Sequence, residues 1–452
     1  MSADSDAGPA PSITSATTAE CRTICPALIA PLYSHDVRRL SIGLATLVVA
    51  HAPATIGSDA STIRQVAVAG QAAPGGGSFE HFSIEWLPVV APVNDRGQVA
   101  FFATLLRSAA SEGIFLASGS SITKIAVDGD RAPGGGTLSG FGKHPIPALN
   151  AHGSVAFAAA VAGGTTVEGI FLSSRGRLRS VAVAGGPAPG IASGTFAVLD
   201  APALNDRNYV AFLASVRRGR EQVEAIYLRA GRALTKVVAQ GDPAPAGGTF
   251  AGFGPPALNG QGTVAFAAVV EGRAAPGGVF VADTSGVRML VGAGDESPLG
   301  GIYAKFSERI ALNDAGMVAF TAVLKGARVA QAVMLVEADR VRVVSALDEP
   351  APEGGTFSHF GPWPSLGRAG AVGFTASVDR AAVGVAAFVV DRGRASRAVA
   401  LGDALPAGGR LTSFGLYPAI SLSPGGAVTF TSAPTATGEG VEGLFVIAPA
   451  PR

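Results

Sequence analysis

Charged and aromatic side chains recur in one variable segment of this sequence, which lies between a repeated Phe-Gly pair and a repeated Pro-Ala-Leu motif or their equivalents. Both tryptophans of the chain fall in such segments. Carboxylates, cations and aromatic rings collected on one concave surface suit a glycan, a peptide or a protein ligand. The candidate ligand-binding residues are Glu85, Trp86, Lys143, His144, Asp200, Glu308, Arg309, Trp363 and Tyr417.

The same segments allow two other interpretations. Paired carboxylates hydrolyse glycosidic bonds, and Glu85, Asp200 and Glu308 could supply such a pair from different parts of the chain. Variable loops can also drift without function, in which case Trp86 and Trp363 only close the ends of the structural units. The sequence contains no Gly-x-Ser-x-Gly elbow and no Ser-x-Asp-x-Gly-x-Thr-Trp box, so no catalytic residue is assigned.

Other polar residues recur once per repeat. An acid closes a strand at Asp130, Asp242, Asp295, Glu349 and Asp403, with Gln71 and Gly186 in the remaining copies. Calcium needs six to eight oxygen ligands, whereas each copy supplies one acid, so a turn cap is the favoured interpretation. The histidines His81, His144, His152 and His359 do not have the spacing of a zinc site. We therefore expect no metal and no cofactor.

One pattern of about 54 residues runs through the chain and must position these side chains. It contains a Pro-Ala-Leu-Asn turn, a Val-Ala-Phe strand and a Gly-Ile-Phe-Leu strand. The turn residue is Asn94, Asn150, Asn205, Asn259, Asn313, Gly367 or Ser423. Three residues later stands Gly97, Gly153, Asn208, Gly262, Gly316, Gly370 or Gly426, residue types that tolerate positive φ. The pattern predicts a tight hairpin in every copy.

Each copy predicts about four short strands, which is one propeller blade. The pattern opens with the strand Val66-Ala67-Val68 and finishes with Leu444-Phe445-Val446, two strands that are adjacent within the other copies. Pairing these ends completes a seventh blade. We therefore predict an all-β fold, a seven-bladed β-propeller built from seven repeats and closed by pairing of the N-terminal strand with the C-terminal strand. A parallel β-helix is the less favoured alternative, because its rungs are shorter.

The repeats resemble those of bacterial secreted tandem-repeat proteins named for an Asn-x-x-Gly-x-x-Ala-Phe core. Asn94-Asp95-Arg96-Gly97-Gln98-Val99-Ala100-Phe101 is a full copy of that core, and the resemblance covers roughly residues 62 to 447. It implies a propeller-like, exported protein, and it brings no activity that can be transferred.

The N-terminal region predicts export. Arg38 and Arg39 precede the apolar run Leu40 to Ala50, and Ala50-His51-Ala52 forms a small-x-small cleavage site. The run is too short to span a bilayer, so we expect no permanent membrane span. The predicted divisions are an over-extended or disordered leader at 1–36, a signal peptide at 37–52, a linker at 53–61, the propeller at 62–448 and a tail at 449–452.

The amino-acid composition argues against nucleic-acid binding and agrees with the predicted fold. The net charge of +1 gives no electrostatic footprint for nucleic acid. Charged residues make up only 15%, and 61 glycines fit many short strands joined by tight turns. We predict a monomeric, non-enzymatic binding module that is secreted, periplasmic or on the cell surface. A hydrolase or lyase acting on polysaccharide, and a purely structural surface protein, are the alternatives.

Overall fold

The computed structural model describes residues 63–82, 90–141, 145–272, 276–415, 418–435 and 438–449. The predicted leader, signal peptide and linker lie outside these residues. The described chain is all-β, and its strands form seven antiparallel sheets arranged as a seven-bladed propeller. No helix in this part of the chain is long and apolar enough to cross a membrane.

Blade 1 contains β2 (Ser78–Phe79), β3 (Val99–Leu106), β4 (Glu112–Ser118) and β5 (Ser121–Val127). Blade 2 contains β6 (Thr137–Ser139), β7 (Ala148–Leu149), β8 (Val155–Ala162), β9 (Glu168–Ser174) and β10 (Arg177–Val183). Blade 3 contains β11 (Thr195–Leu204), β12 (Val210–Arg218), β13 (Glu221–Ala230) and β14 (Ala233–Ala239). Blades 4 and 5 contain β15 (Thr249–Phe253), β16 (Ala257–Leu258), β17 (Val264–Glu271), β18 (Gly278–Asp283) and β19 (Gly286–Gly292); and β20 (Ile302–Phe306), β21 (Ala311–Leu312), β22 (Val318–Lys325), β23 (Gln331–Glu337) and β24 (Arg340–Ala346). Blades 6 and 7 contain β25 (Thr356–Phe360), β26 (Ser365–Leu366), β27 (Val372–Asp379), β28 (Val385–Asp391) and β29 (Arg394–Ala400); and β30 (Ile420–Leu422), β31 (Val428–Ser432), β32 (Gly443–Ile447) and β1 (Ile63–Val68).

The short strands β7, β16, β21, β26 and β30, with the second half of β11, lie innermost and contact their counterparts in adjacent blades. The Val-Ala-Phe strands come next and are buried almost throughout, as β8 and β22 show. The small side chains there let neighbouring sheets approach closely on both faces. In blades 1 to 6 the last strand begins with exposed and half-buried residues, contains buried residues in its second half and forms the outer rim.

The hydrophobic core lies between the blades. One cluster joins Phe102 and Ile114 of blade 1 to Leu138, Phe141 and Phe157 of blade 2. Comparable clusters join the other neighbouring blades, and aromatic rings within them pack edge to face or stacked. No blade buries both of its faces alone, so the ring stabilises itself only when every blade has two neighbours.

The predicted ring closure is confirmed. Strand β1 pairs antiparallel with β32, from Ile63 opposite Ile447 to Val68 opposite Gly443. Across the next interface the Glu442 carboxylate accepts a hydrogen bond from the Phe82 N–H at 3.0 Å and lies 2.9 Å from Nδ1 of His81. That hydrogen bond raises the pKa of His81 above its ordinary value. Polar contacts therefore continue the ring from blade 7 into blade 1.

The predicted hairpin turns are also confirmed, because the residue three places after each turn residue has positive φ in all seven copies, including Asn208 at 58°. The turn asparagines have a second role. Asn205 Oδ1 accepts hydrogen bonds from the N–H groups of Arg207 and Tyr209, each at 3.0 Å, while Nδ2 donates to the Asn259 carbonyl at 2.8 Å in the next blade. We call the ring of such bonds the asparagine belt; its members are Asn94, Asn150, Asn205, Asn259 and Asn313.

Blades 6 and 7 have Gly367 and Ser423 in place of asparagine, and different bonds close the belt there. The Arg368 N–H donates to the Pro424 carbonyl at 2.9 Å. The Gly425 N–H donates to the Asp95 carboxylate, which also pairs with the Arg368 guanidinium at 2.7 Å. The loss of two asparagines is therefore compensated by backbone bonds and one ion pair.

Candidate functional site

The variable segment interrupts the innermost strand of the blades. In blade 3 it lies within β11, where Asp200 is opposite Leu213 and the pairing register shifts before Ala203. In blades 4, 5 and 6 the same segment separates β15 from β16, β20 from β21 and β25 from β26. The interruption breaks the regular hydrogen-bond ladder halfway along the sheet. The side chains of these residues therefore need not alternate between the two faces of the sheet.

Three of the blades bring their variable residues together. We call Asp200 of blade 3, Glu308 and Arg309 of blade 5 and Trp363 of blade 6 the channel cluster. The Arg309 guanidinium carbon lies 4.8 Å from the centroid of the Trp363 ring, within the range of a cation–π contact. The Arg309 Nε is buried and has no hydrogen-bond partner in the described part of the chain. A planar cation is thus held against an aromatic face with a donor unused.

The electrostatics show that the cluster is poorly solvated. Burial raises the pKa of the Glu308 carboxyl; Arg309 opposes this shift and Asp200 adds to it. Burial also lowers the pKa of the Arg309 guanidinium, although Glu308 and Asp200 raise it. Desolvation disfavours the charged form of both groups, and both are therefore costly to leave without a partner.

Backbone contacts fix the loop that carries Glu308. The Ser307 N–H donates to the Thr321 carbonyl at 2.8 Å, and Ser307 Oγ accepts from the Thr321 N–H at 3.1 Å, which ties the loop to β22. On the other side a Cβ at Gly254 would collide with the Glu308 carbonyl oxygen. Only glycine allows blade 4 to approach so closely. The position of Glu308 is therefore set by both flanking elements.

A further set of side chains, which the sequence analysis does not predict, bonds to the following blade. A glutamate or glutamine beside the Gly-Ile-Phe-Leu strand accepts a hydrogen bond from a backbone N–H of the following blade. Glu168 does so from Leu199 at 2.7 Å, Glu224 from Phe253 at 3.2 Å and Gln331 from Phe360 at 2.9 Å. Burial raises the pKa of Glu224, and the charge of Glu308 raises it further. The signal available in the sequence was the recurrence of Glu before Gly-Ile-Phe.

The other five candidates, Glu85, Trp86, Lys143, His144 and Tyr417, lie outside the described residues. The structure thus brings together four of the nine predicted ligand-binding residues, namely Asp200, Glu308, Arg309 and Trp363.

A model for a family of unknown function, DUF7453, matches residues 42–331 and 276–446. The chain belongs to the DUF7453 family. No curated protein matches its sequence. The family description assigns no activity.

Solved structures similar to this DUF7453 chain are distant. A puromycin-hydrolysing peptidase of Mycobacterium tuberculosis shares 16% identity with a TM-score of 0.45, over 82% of this chain and 55% of the peptidase. PorZ of Porphyromonas gingivalis, a surface component of the type-IX secretion system, shares 12% with a TM-score of 0.45, over 83% and 49%. The Aleuria aurantia lectin shares 12% with a TM-score of 0.37, over 73% and 98%. The DUF7453 chain thus spans about half the length of the first two proteins.

The acids that close the strands of the DUF7453 chain cap turns. Each accepts a hydrogen bond from the N–H three residues earlier, as Asp130 does from Val127 at 3.0 Å and Asp242 from Ala239 at 2.9 Å. Asp295, Glu349 and Asp403 repeat the contact. No group of three or more His, Cys, Asp or Glu among the described residues could hold a metal ion. The turn-cap interpretation is confirmed.

A cavity of about 180 Å³ lies where the asparagine belt encircles the axis. Its acids Asp95, Asp206 and Asp314 come from alternate blades. The Ala151 N–H donates to Asp206 at 2.8 Å, and the Gly260 N–H donates to Asp314 at 2.6 Å. These carboxylates accept hydrogen bonds from backbone donors of the preceding blade, so they contribute to ring assembly.

Proposed function

We propose that this protein is a non-enzymatic, extracytoplasmic binding module that holds a glycan at the channel cluster. The observation that carries the proposal is the Arg309 guanidinium, stacked on Trp363 with a buried Nε lacking a hydrogen-bond partner among the described residues. A buried donor without a partner is unfavourable in the free protein, and a ligand that accepts its hydrogen bond recovers that free energy.

The composition of the cluster favours a polyhydroxylated ligand. Sugar hydroxyls both donate and accept, so they can donate to Asp200 and Glu308 while accepting from Arg309. Trp363 is half-buried, and its ring offers an apolar surface for the C–H face of a sugar. The channel cluster thus combines hydrogen-bond acceptors, a hydrogen-bond donor and an aromatic surface contributed by three separate blades. This arrangement suits a neutral glycan better than a purely anionic or purely apolar ligand.

A binding screen tests this proposal. The full protein is screened on a glycan array, and the strongest hit is titrated into the wild type, Trp363→Ala and Arg309→Lys. We expect both variants to bind at least about tenfold more weakly, because each removes part of the stacked pair. Arg288→Gln, on the outer rim, serves as the matched control, and circular dichroism confirms folding. Unchanged affinity in both cluster variants would contradict the proposed site.

One observation favours a second candidate, a polysaccharide hydrolase. Glu308 has a raised pKa, as a general acid requires, and the charge of a second carboxylate, Asp200, contributes to that rise. The hit from the screen is therefore incubated with the wild type and with an Asp200→Asn, Glu308→Gln double variant. Under the binding proposal neither protein releases product. Turnover by the wild type alone would establish the enzyme instead.

Export is also part of the proposal, supported by the Arg38-Arg39 pair, the apolar run and the Ala50-His51-Ala52 site. Expression in a Gram-negative host with its secretion machinery is expected to yield a periplasmic form beginning at Pro53. N-terminal sequencing of that fraction gives the cleavage site. A Leu47→Arg variant, which breaks the apolar run, should remain uncleaved in the cytoplasm. A wild-type protein that keeps its first 52 residues in the cytoplasm would contradict export.

A further inference from the structure

A groove of about 430 Å³ lies at the outer rim between blades 2 and 3, away from the channel cluster. Its lining includes Ser180, Val183 and Gly186 from blade 2 and Arg229 from blade 3. Pro187, Pro189 and Leu234 add apolar walls. This volume lies within the range of small-molecule sites.

At the place of this groove blade 2 lacks an ion pair that blades 1, 3 and 6 have. In blade 1 the Lys124 Nζ lies 2.8 Å from Oδ1 of Asp130, and in blade 3 the Lys236 Nζ lies 2.8 Å from Oδ2 of Asp242. In blade 6 an Nη of Arg397 lies 3.2 Å from Oδ1 of Asp403. In each pair the base lies on the last strand and the acid caps the turn six residues later. Blade 2 has Ser180 and Gly186 at these two positions, which removes the charges and the volume of both side chains.

The adjacent blade places an arginine beside the gap. Arg229 is opposite Val210, the first residue of β12. In the other six blades the residue at this register position is small or apolar, namely Ala117, Ser173, Ala282, Val336, Val390 and Ile447. Arg229 Nε and an Nη donate to the Val181 carbonyl at 3.1 and 2.8 Å, and the other Nη donates to the Arg232 carbonyl at 2.8 Å. The guanidinium is thus fixed in the groove wall.

The positive charge around this groove has no counter-ion among the described residues, because none of Arg179, Arg229 and Arg232 forms an ion pair with an acid there. Burial lowers the pKa of Arg229, and the neighbouring charge of Arg179 lowers it further. The Val183 N–H occupies the position whose N–H donates to the turn acid in other blades, and no side chain of the described chain accepts from it. A carboxylate at this place would meet the Arg229 guanidinium and a backbone donor.

We propose that this groove binds the carboxylate of a small amphiphilic molecule, in the place that the turn acid occupies in other blades. The head group lies between Arg229 and the Val183 N–H, and the apolar part lies against Pro187, Pro189 and Leu234. The site is independent of the channel cluster, so it stands or falls separately from glycan binding.

Calorimetric titration of the full protein with hexanoate, at low ionic strength, tests the proposal, and hexanamide is the uncharged control. We expect Arg229→Val to weaken hexanoate binding at least about tenfold, as the loss of one charge-assisted contact implies. Valine occupies this position in blades 5 and 6, so the variant should fold. A Ser180→Lys, Gly186→Asp variant, which restores the ion pair, should abolish binding. Arg340→Gln, an exposed rim arginine, should leave it unchanged.

Three results would each overturn the site: no heat with millimolar hexanoate, equal affinity for hexanamide, or wild-type affinity in both groove variants. Equal loss in Arg340→Gln would show that hexanoate responds only to the overall rim charge, and it would overturn the site as well. Thermal unfolding of each variant separates loss of binding from loss of fold.

Discussion

Removal of strand β1, residues 63–68, is expected to lower the free energy of unfolding by about 5 kcal/mol. Ile63 and Ala67 are buried, and their loss alone removes about 3 kcal/mol of apolar burial. The deletion also leaves β32 as an open edge, and it exposes Leu444 and Phe445 to water. The midpoint of urea unfolding measures the change.

A transposed strand gives the matched control. In blade 6 the last two strands are joined by a turn of two residues between Asp391 and Arg394. Placing the sequence of β1 after β32, through a copy of that turn, should rebuild the seventh blade and recover most of the stability. A deletion variant as stable as the wild type would contradict the closed ring. Failure of the transposed strand to recover any stability would show that the deletion acts through something other than this pairing.

Replacing Asn205 with alanine is expected to lower the free energy of unfolding by about 3 kcal/mol. The side chain is 4% exposed and makes three hydrogen bonds. Its loss leaves the N–H groups of Arg207 and Tyr209 and the carbonyl of Asn259 without that partner. A buried group without a partner costs more than the net value of the bond it lost. Chemical denaturation of the purified protein measures the effect.

Arg207→Ala changes the same turn without touching the belt, because only the backbone of Arg207 bonds to Asn205. The arginine side chain is exposed, and its removal should change stability by less than about 0.5 kcal/mol. If the two variants unfold at the same denaturant concentration, the belt contributes nothing to stability.

The fold was accessible from the sequence because its information is local and recurrent. Asn and Gly three residues apart predict the hairpin, and Val-Ala-Phe predicts a strand packed closely on both faces. The phase of the first and last strands predicted closure. The inter-blade bond of Asn205 to Asn259 was not predicted, because a residue that suits a turn gives no sign of what its second polar atom contacts.

The candidate site was predictable only in part. The variable segment indicated which residues to consider, and Arg309 and Trp363 do contact each other. No local pattern indicated which blades would bring their residues together, or which carboxylates, such as Glu224, bond to a neighbouring blade. The proposed groove beside Gly186 was not predictable either. The lack of an acid in one copy indicates a binding site only when Arg229 of the next blade is known to lie beside it.

The sequence by itself determined the blades, their number and the turns within them, because short-range patterning fixes strands and hairpins residue by residue. The tertiary structure alone decided which side chains of different blades meet. Asp200 and Glu308 are far apart in the chain but interact electrostatically, and Arg229 bonds to the Val181 carbonyl of the preceding blade. Such contacts depend on the position of one blade against the next, which the packing of both faces sets and no local pattern encodes.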